Sequence, residues 1–358
     1  MNVIWGSIIA WYLFLAGLAA GAFATAALVS FKNRKLVKVQ LVGRTIALLA
    51  LAIGLFLLMF DAEAGFKNPL RFFYLLTNFG SVMTWGTLIL GVFGCVCLVT
   101  LLLALLKKKV PRALDGLGIF MAICTAAYTG VLLGVIKTYP LWNTALLPVL
   151  FLVSALSAGM AGTFIISTFV AHKELEQLDM LKRLHFALPL VELALLAILL
   201  YMTASAAPAA RLSVDRLISG DLAPSFWLGL VIIGLIIPLI AGGIGSLVKG
   251  GRRMEMREDA QVAPKSEAEA GSVAGVVAVV GSRAGAVAGS ESDAEAVVEA
   301  KSVAGAVTES ESRAEAVGSG ALGATRVIDA AGDAGSLVGG FLLRYLIIVA
   351  AVPLTFIF

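Results

Sequence analysis

The chain has 358 residues, of which 60% are hydrophobic and 14% charged, and its mean hydropathy is +0.98. Soluble domains carry about 25% charged residues, so this composition excludes an ordinary water-soluble enzyme. The formal net charge of +4 reflects basic residues in alternate loops, and it gives no indication of nucleic-acid binding.

Eight apolar runs are long enough to cross a hydrocarbon core of about 30 Å. Because lipid cannot hydrogen-bond open backbone groups, each run predicts a helix. The predicted fold class is an all-α membrane protein of eight transmembrane helices in two four-helix halves. In chain order the runs are 5–30, 41–61, 80–106, 113–136, 146–171, 184–206, 224–248 and 336–358.

Basic residues cluster in the loops after the first, third, fifth and seventh runs, as in 107–109 and 252–257. The alternate loops hold few lysines or arginines. Basic loops face the cytoplasm under the positive-inside rule, so both chain termini are expected outside.

The two halves of the membrane domain resemble each other. Residues 18–25 of the first helix resemble 156–163 of the fifth, and 85–91 of the third helix resemble 227–234 of the seventh. Four helices per half would give both halves one orientation, with a pseudo-two-fold axis along the membrane normal. Small-residue faces selected by packing alone are the alternative explanation.

The predicted organisation has three parts. Residues 1–250 hold transmembrane helices 1–7, and residues 336–358 form helix 8. Residues 251–335 are rich in Ala, Gly, Ser, Glu and Val and contain near-repeats, so we expect a disordered low-complexity cytoplasmic loop. A binding tail with short helices is the alternative for this insert.

Three ionisable residues lie in or at the end of apolar runs: Asp61, Glu192 and Arg344. A charge at a bilayer centre costs at least about 2.5–3.5 kcal/mol, so it usually has a partner or a function. Glu192 and Arg344 are both expected about 10–12 Å from the cytoplasmic end, where they could pair. The pair would either fix helix register or form part of a proton path whose entrance lies near His185 and Arg44.

Tyr128 is expected about two turns from the outer face, and a buried phenol needs a hydrogen-bond partner such as a quinone carbonyl. Asp61 ends the second helix on the same side, and an ordinary interfacial carboxylate is its alternative role.

The three cysteines and two histidines match no zinc, iron–sulfur or bis-histidine haem pattern, so we expect no redox metal in this chain.

Short motifs along the helices resemble the NrfD/polysulfide-reductase type of integral membrane quinone-reactive subunit. Each motif is soft, but their order and spacing are typical of that family. The motifs occupy residues 12–21, Asp61, 69–72, 81–86, 128–133, 140–143, 148–156, 226–229 and 339–345.

This resemblance implies an enzyme subunit without haem or iron–sulfur cluster in a bacterial or archaeal cytoplasmic membrane. It implies electron exchange between a quinone (menaquinone or ubiquinone) and an externally docked, ferredoxin-like four-cluster iron–sulfur subunit. That partner usually connects to a molybdopterin oxidoreductase catalytic subunit. The resemblance implies a quinone pocket near the outer face, to which we assign Tyr128, Asp61, Trp11 and Arg71, and a polar network at Glu192 and Arg344.

Two features depart from the family pattern. Some relatives offer the quinone a polar residue from helix 1, whereas here helix 1 supplies Trp11 and Tyr12 among apolar neighbours. The insert before helix 8 has no counterpart in that pattern.

Two alternative functions remain. One is a secondary transporter or proton channel, which would favour broken helices, and the other is a passive membrane anchor.

Overall fold

The computed structural model describes residues 7–61, 79–206, 208–243, 323 and 326–353. Within these ranges the regular structure is entirely helical, and eight helices are long and apolar enough to cross a membrane. These helices are α1 (Ser7–Lys32), α2 (Val37–Asp61), α3 (Val82–Leu105), α4 (Arg112–Gly134), α5 (Leu146–Val170), α7 (Asp179–Ala206), α9 (Ser225–Gly243) and α10 (Arg326–Ala350). The first part of α9, Ser225–Ile236, is wound as a π-helix. The predicted fold class is confirmed.

Two short helices, α6 (His172–Leu175) and α8 (Pro208–Ile218), were not predicted. α8 is amphipathic, and it buries a small face that includes Ser213. The Ser213 hydroxyl accepts a hydrogen bond from the Val352 amide at 2.9 Å, and Arg216 donates to the Val349 carbonyl at 3.2 Å. α8 therefore satisfies backbone groups at the end of α10 that have no partner within that helix.

Two helix starts differ from prediction by five residues or more. α7 begins at Asp179 rather than at 184, and α10 begins at Arg326 rather than at 336. Both helices open with turns that contain charged residues, which a search for apolar runs does not include. α10 therefore contains the last ten residues of the predicted loop 251–335, while 244–322 lie outside the described residues.

Residues Met1–Gly242 and Asp329–Phe358 form one compact unit. Within it, α1 and α5 pack so closely at Gly21 and Gly159 that a Cβ on either glycine would collide with the other helix's backbone. These glycines occupy matching positions of the internal repeat. Because equivalent residues of a two-fold repeat meet only at its axis, the contact locates the pseudo-two-fold axis between α1 and α5.

Local hydrogen bonds repeat in the same way. Thr25 donates to the Gly21 carbonyl at 2.7 Å, and Thr163 donates to the Gly159 carbonyl at 2.8 Å. The match between the third and seventh membrane helices is also present in the structure. The Trp85 indole donates to the Phe79 carbonyl and the Trp227 indole donates to the Ile218 carbonyl, and each carbonyl lies just before the helix that carries the tryptophan. The repeat is therefore present in the contacts as well as in the sequence.

We call the end of the bundle where α1 meets α2 the basic end and the other the opposite end. The lysine- and arginine-rich loops that follow α1, α3 and α5 lie at the basic end, which is predicted to be cytoplasmic. The basic end holds the starts of α2, α4, α7 and α10, and the opposite end holds the starts of α1, α3, α5 and α9.

Candidate functional site

Arg344 is the most deeply buried charged residue of α10, with 0% of its surface exposed. Its Nη1 atom donates to Ser154 Oγ at 3.1 Å and to the Gly340 carbonyl at 2.7 Å, and Nη2 donates to the Phe151 carbonyl at 3.3 Å. The guanidinium carbon also lies 5.1 Å from the centre of the Phe151 ring. These contacts offset the cost of burying the charge.

Space for the guanidinium depends on Gly17 of α1. A Cβ at Gly17 would lie 2.5 Å from Arg344 Nη2 and 3.3 Å from the Ala155 Cβ. The small residue in α1 therefore allows three helices, α1, α5 and α10, to enclose one arginine side chain.

Glu192 of α7 is only 3% exposed, and the Ser154 hydroxyl lies within hydrogen-bonding reach of its carboxyl group. The four ion pairs among the described residues do not include one between Glu192 and Arg344. Ser154 instead lies between them. The direct ion pair considered from the sequence is therefore replaced by an arrangement in which the Ser154 hydroxyl bridges the two side chains. Within the described part of the chain, Glu192 Oε1 and Arg344 Nε have no hydrogen-bond partner.

The depth predicted for these two residues is wrong. Because α10 begins at Arg326, Arg344 lies six residues before its end at Ala350, about 9 Å from the opposite end. Its partner Phe151 is near the start of α5, which is also at the opposite end. Glu192 lies near the middle of α7. The network therefore spans the middle and the opposite half of the bundle rather than its basic half.

His185 and Arg44 have separate partners at the basic end. His185 Nε2 lies 2.8 Å from Asp333 Oδ1 of α10, and Arg44 Nη2 lies 2.8 Å from Asp115 Oδ1 of α4. The second oxygen of Asp115 accepts a hydrogen bond from Ser30 at 2.8 Å. The structure thus does not join Arg44 to His185 as a shared entrance.

Tyr128 of α4 is 8% exposed and packs directly against Gly86 of α3, where a Cβ would collide with its ring and hydroxyl. Tyr12 of α1 lies close enough for the two phenols to interact electrostatically. No hydrogen bond joins the Tyr128 hydroxyl to another residue in the described ranges. Tyr128 lies six residues before the end of α4, about 9 Å from the opposite end.

The other predicted quinone residues have different surroundings. Trp11 is 46% exposed and packs on Phe341 of α10, with ring centroids 4.2 Å apart. The structure therefore gives Trp11 a neighbour in the second half, whereas the adjacent Tyr12 approaches Tyr128. Asp61 is the last residue of α2, but its side chain and the whole of Arg71 lie outside the described residues.

Sequence reasoning missed four residues of these clusters: Tyr12, Asp115, Ser154 and Asp333. Asp115 comes in the first turn of α4 after a lysine-rich loop, and Asp333 fell within the predicted insert. Both looked like solvated charges at helix ends. Alignment of the two halves would have found Asp115 and Asp333 together, because each lies near the start of the fourth helix of its half.

A family model described as polysulphide reductase, NrfD, matches residues 1–254, which is more than half of the chain. The chain belongs to the NrfD polysulphide reductase family. The resemblance inferred from the helix motifs is therefore confirmed, and this NrfD-family protein is a multi-pass membrane protein.

Curated relatives of this NrfD-family protein include the C subunit of the polysulfide reductase of Wolinella succinogenes, which is 36% identical over 67% of this sequence and 86% of the relative. An NrfD homologue of Haemophilus influenzae is 29% identical, covering 67% and 83% of the two sequences. The integral membrane subunit of an Hdr-like menaquinol oxidoreductase of Archaeoglobus fulgidus is 28% identical, covering 67% and 62%.

Two of these relatives are named as components of oxidoreductases. Among the described residues, no group of three or more His, Cys, Asp or Glu side chains could hold a metal ion. Cys97 is buried in α3, Cys124 is partly buried in α4, and Cys95 is exposed.

Proposed function

We propose that this protein is the quinone-reactive membrane subunit of a multi-subunit oxidoreductase. It would exchange electrons between a membrane quinone (menaquinone or ubiquinone) and an externally docked, four-cluster iron–sulfur subunit. That subunit would connect to a molybdopterin catalytic subunit. Two relatives support the proposal by name, one as a component of polysulfide reductase and one as an integral membrane subunit of a menaquinol oxidoreductase.

The observation that carries the quinone site is the Tyr128 phenol. It lies near the opposite end, beside Tyr12 and against the backbone of Gly86, and its hydroxyl has no partner within the described ranges. A phenol in that setting can donate a hydrogen bond to a quinone carbonyl. Asp61, Trp11 and Arg71 remain proposed contributors to this pocket.

The second part of the proposal is proton movement through Glu192, Ser154 and Arg344. The buried carboxyl of Glu192 can take up and release a proton through a water bound at Oε1, and the Ser154 hydroxyl joins it to the guanidinium of Arg344. Arg344 stays cationic and would hold a negative charge on Glu192 when the carboxyl loses its proton.

A secondary transporter would favour interrupted helices at mid-membrane depth. Pro189 lies inside the continuous helix Asp179–Ala206, and α9 likewise runs without interruption past Pro238. The described helices therefore favour the quinone hypothesis over the transporter hypothesis. A passive anchor would not need the buried Glu192 and Arg344.

The test is quinol oxidation by the membrane-bound complex carrying Tyr128→Phe. Loss of the phenol hydroxyl should lower kcat/KM for quinol at least tenfold, because one hydrogen bond to a reacting group is lost. Tyr201→Phe is the matched control, since Tyr201 is 76% exposed on α7 and should leave turnover unchanged.

The same purified complex should contain iron and molybdenum in its partner subunits. Unchanged quinol turnover in Tyr128→Phe would refute the assigned quinone site. A complex that binds no quinone and contains no iron would refute the proposed function as a whole.

A further inference from the structure

The two halves of the bundle carry matching charge pairs at the basic end. In the first half, Arg44 of the second helix pairs with Asp115 of the fourth at 2.8 Å. In the second half, His185 of the second helix pairs with Asp333 of the fourth, also at 2.8 Å. Each basic residue lies within the first three turns of its helix, so the internal two-fold relates the two pairs in position.

The two pairs differ in chemistry. The guanidinium of Arg44 cannot be deprotonated in a protein, so the first pair holds a fixed charge distribution. Ser30 occupies the other oxygen of Asp115, which further closes that cluster. An imidazole, unlike a guanidinium, exists in both neutral and protonated forms, so the second pair can gain and lose a proton.

The surroundings of the two pairs also differ. Across the described residues, six buried side-chain polar atoms have no hydrogen-bond partner, and Arg44 Nε is the only one of them in the first half. The others all belong to α5, α7 and α10 of the second half. They are His185 Nδ1, Ser167 Oγ, Ser336 Oγ, Glu192 Oε1 and Arg344 Nε.

Along the helix axes these atoms run from Ser167 and His185 near the basic end, through Glu192 in the middle, to Arg344 in the opposite half. His185 and Glu192 are seven residues apart, two turns on one face of α7, which is about 10 Å. Asp333 and Ser336 are three residues apart on α10, so they also share a face. Buried polar groups are normally hydrogen-bonded, so bound waters would complete the hydrogen bonding of these atoms, and we call that row of waters the water file.

We propose that His185 and Asp333 form the site where protons enter the second half from the basic end, and that Arg44 and Asp115 close the equivalent route in the first half. This inference rests on the proposed function and deepens its proton path. It removes Arg44 from that path and adds Asp333, Ser336 and Ser167.

The proton step is balanced without a co-reactant. A proton from solvent at the basic end binds the His185–Asp333 pair, which then carries one additional proton. The proton bound at Nδ1 passes to the water file and on to Glu192, and the pair returns to its original state. Asp333 Oδ1 keeps its contact with Nε2 throughout, which holds the ring with Nδ1 directed away from the pair.

Side chains of α7, α10 and α5 surround the His185–Asp333 pair. Lys182 of α7 and Asp329 of α10 act electrostatically on Asp333 with opposite signs. α5 contributes the Phe164 ring, whose centroid lies 5.4 Å from the His185 ring, edge to face. The pair is therefore set between one cation and one anion beside an apolar wall.

The competing explanation is that His185 and Asp333 only anchor α10 to α7. The first half supplies the variant that separates the two explanations, because Arg44 and Asp115 show that an arginine–aspartate pair is accommodated at this place in the fold. His185→Arg should preserve the anchor and remove the titrating group. The conservative variant Asp333→Glu should preserve both the anchor and the proton-binding pair.

The first readout needs no turnover. Infrared difference spectra of the full chain in lipid nanodiscs, recorded across a pH step, should show an aspartate carboxyl signal that Asp333→Asn removes. The same signal should be absent from His185→Arg, because a fixed cation keeps Asp333 ionised. A signal that survives in His185→Arg would overturn the proposed protonation site, whether or not the protein reacts with quinone.

The second readout uses the complex in proteoliposomes during quinol-driven turnover. Proton uptake from the basic end should fall at least tenfold in His185→Arg, while the melting temperature stays within a few degrees and quinol turnover with an added ionophore is retained. Arg44→Lys, which keeps the fixed pair of the first half, should retain uptake. Wild-type uptake in His185→Arg would show that the pair is only an anchor.

Discussion

The contact of α1 with α5 at the two-fold axis gives the sharpest stability prediction. A Cβ added at Gly21 would lie 2.8 Å from the Ala155 carbonyl carbon and 2.9 Å from the Gly159 Cα, and closer still to the Ala155 carbonyl oxygen. Ordinary van der Waals contact begins near 3.4 Å. The colliding atoms are backbone atoms, so Gly21→Ala can be accommodated only if two whole helices separate.

Overpacking of this kind typically costs about 1–3 kcal/mol, and a backbone collision belongs at the upper end of that range. A loss of about 3 kcal/mol corresponds to about a hundredfold shift in the unfolding equilibrium. Separation of α1 from α5 would also weaken the contacts around Arg344, because Gly17 and Phe151 lie one to two turns from the same interface.

Gly91→Ala and Gly116→Ala are the matched controls. Both glycines lie inside helices and are exposed on the bundle surface, and an added Cβ would meet no atom within 4 Å. Alanine is favoured over glycine in a helix by up to about 1 kcal/mol, so these variants should be neutral or stabilised.

The measurement is unfolding of the purified chain in mixed detergent micelles, followed by circular dichroism as the fraction of denaturing detergent rises. The expected order of stability is Gly91→Ala at or above the natural sequence, and Gly21→Ala well below it. If Gly21→Ala unfolded together with Gly91→Ala, the tight helix contact and the axis assigned to it would both be wrong.

Two single contacts give further predictions. Gly17→Ala should leave the fold intact, because the group it meets is the flexible end of Arg344 at 2.5 Å, but it should displace the guanidinium from Phe151 and lower quinol-linked proton uptake severalfold relative to Gly91→Ala. At the opposite end, Arg216 lowers the pKa of Asp221 through a two-point contact at 2.8 and 3.1 Å, so this pair stabilises the chain at neutral pH and its contribution is lost as the pH falls through the lowered pKa. Asp221 is largely exposed, so Asp221→Asn should lower Tm only slightly at pH 7, and the difference from the natural sequence should vanish in acid.

Hydropathy was sufficient to predict the eight helices. A segment that contacts lipid must be apolar along its length, and this can be read from that segment without knowing its neighbours. Hydropathy did not find the starts of α7 and α10, since the first turns of both helices carry charges such as Asp179 and Arg326. That error moved Arg344 toward the basic end in the predicted topology. A shift of ten residues at a helix start changes depth by about 15 Å, which reverses the half of the bundle a residue occupies.

The partners of the buried charges were harder to predict than the charges themselves. The sequence identifies Glu192 and Arg344 as unusual because each lies in an apolar run, and it predicts that Arg44 and His185 lie near the entrance of a proton path. It does not show which helix faces each of them, and the partners Asp115 and Asp333 lie near helix ends, where charges are common. Side-chain pairing across helices is a property of the packed bundle, so only the internal repeat could have linked these aspartates in advance.

The internal repeat separates what the fold needs from what each half does. The contact of Gly21 with Gly159, together with the threonine bonds beside it, is the same on both sides of the axis, so it serves the packing of both halves. The polar interior is not repeated in kind. The first half holds a closed Arg44–Asp115 pair and the neighbouring phenols Tyr12 and Tyr128, whereas the second holds His185 and four other buried groups that lack full partners among the described residues.

An asymmetry of this kind needs a use, because buried polar atoms are costly unless water or another partner completes their hydrogen bonds. Packing alone would favour a second copy of the closed pair, which the first half shows to be available. The second half instead keeps a titratable residue and a row of unsatisfied atoms, on the side of the axis away from Tyr128. We infer that quinone chemistry and proton movement are divided between the two halves, with α1 and its glycines contacting both.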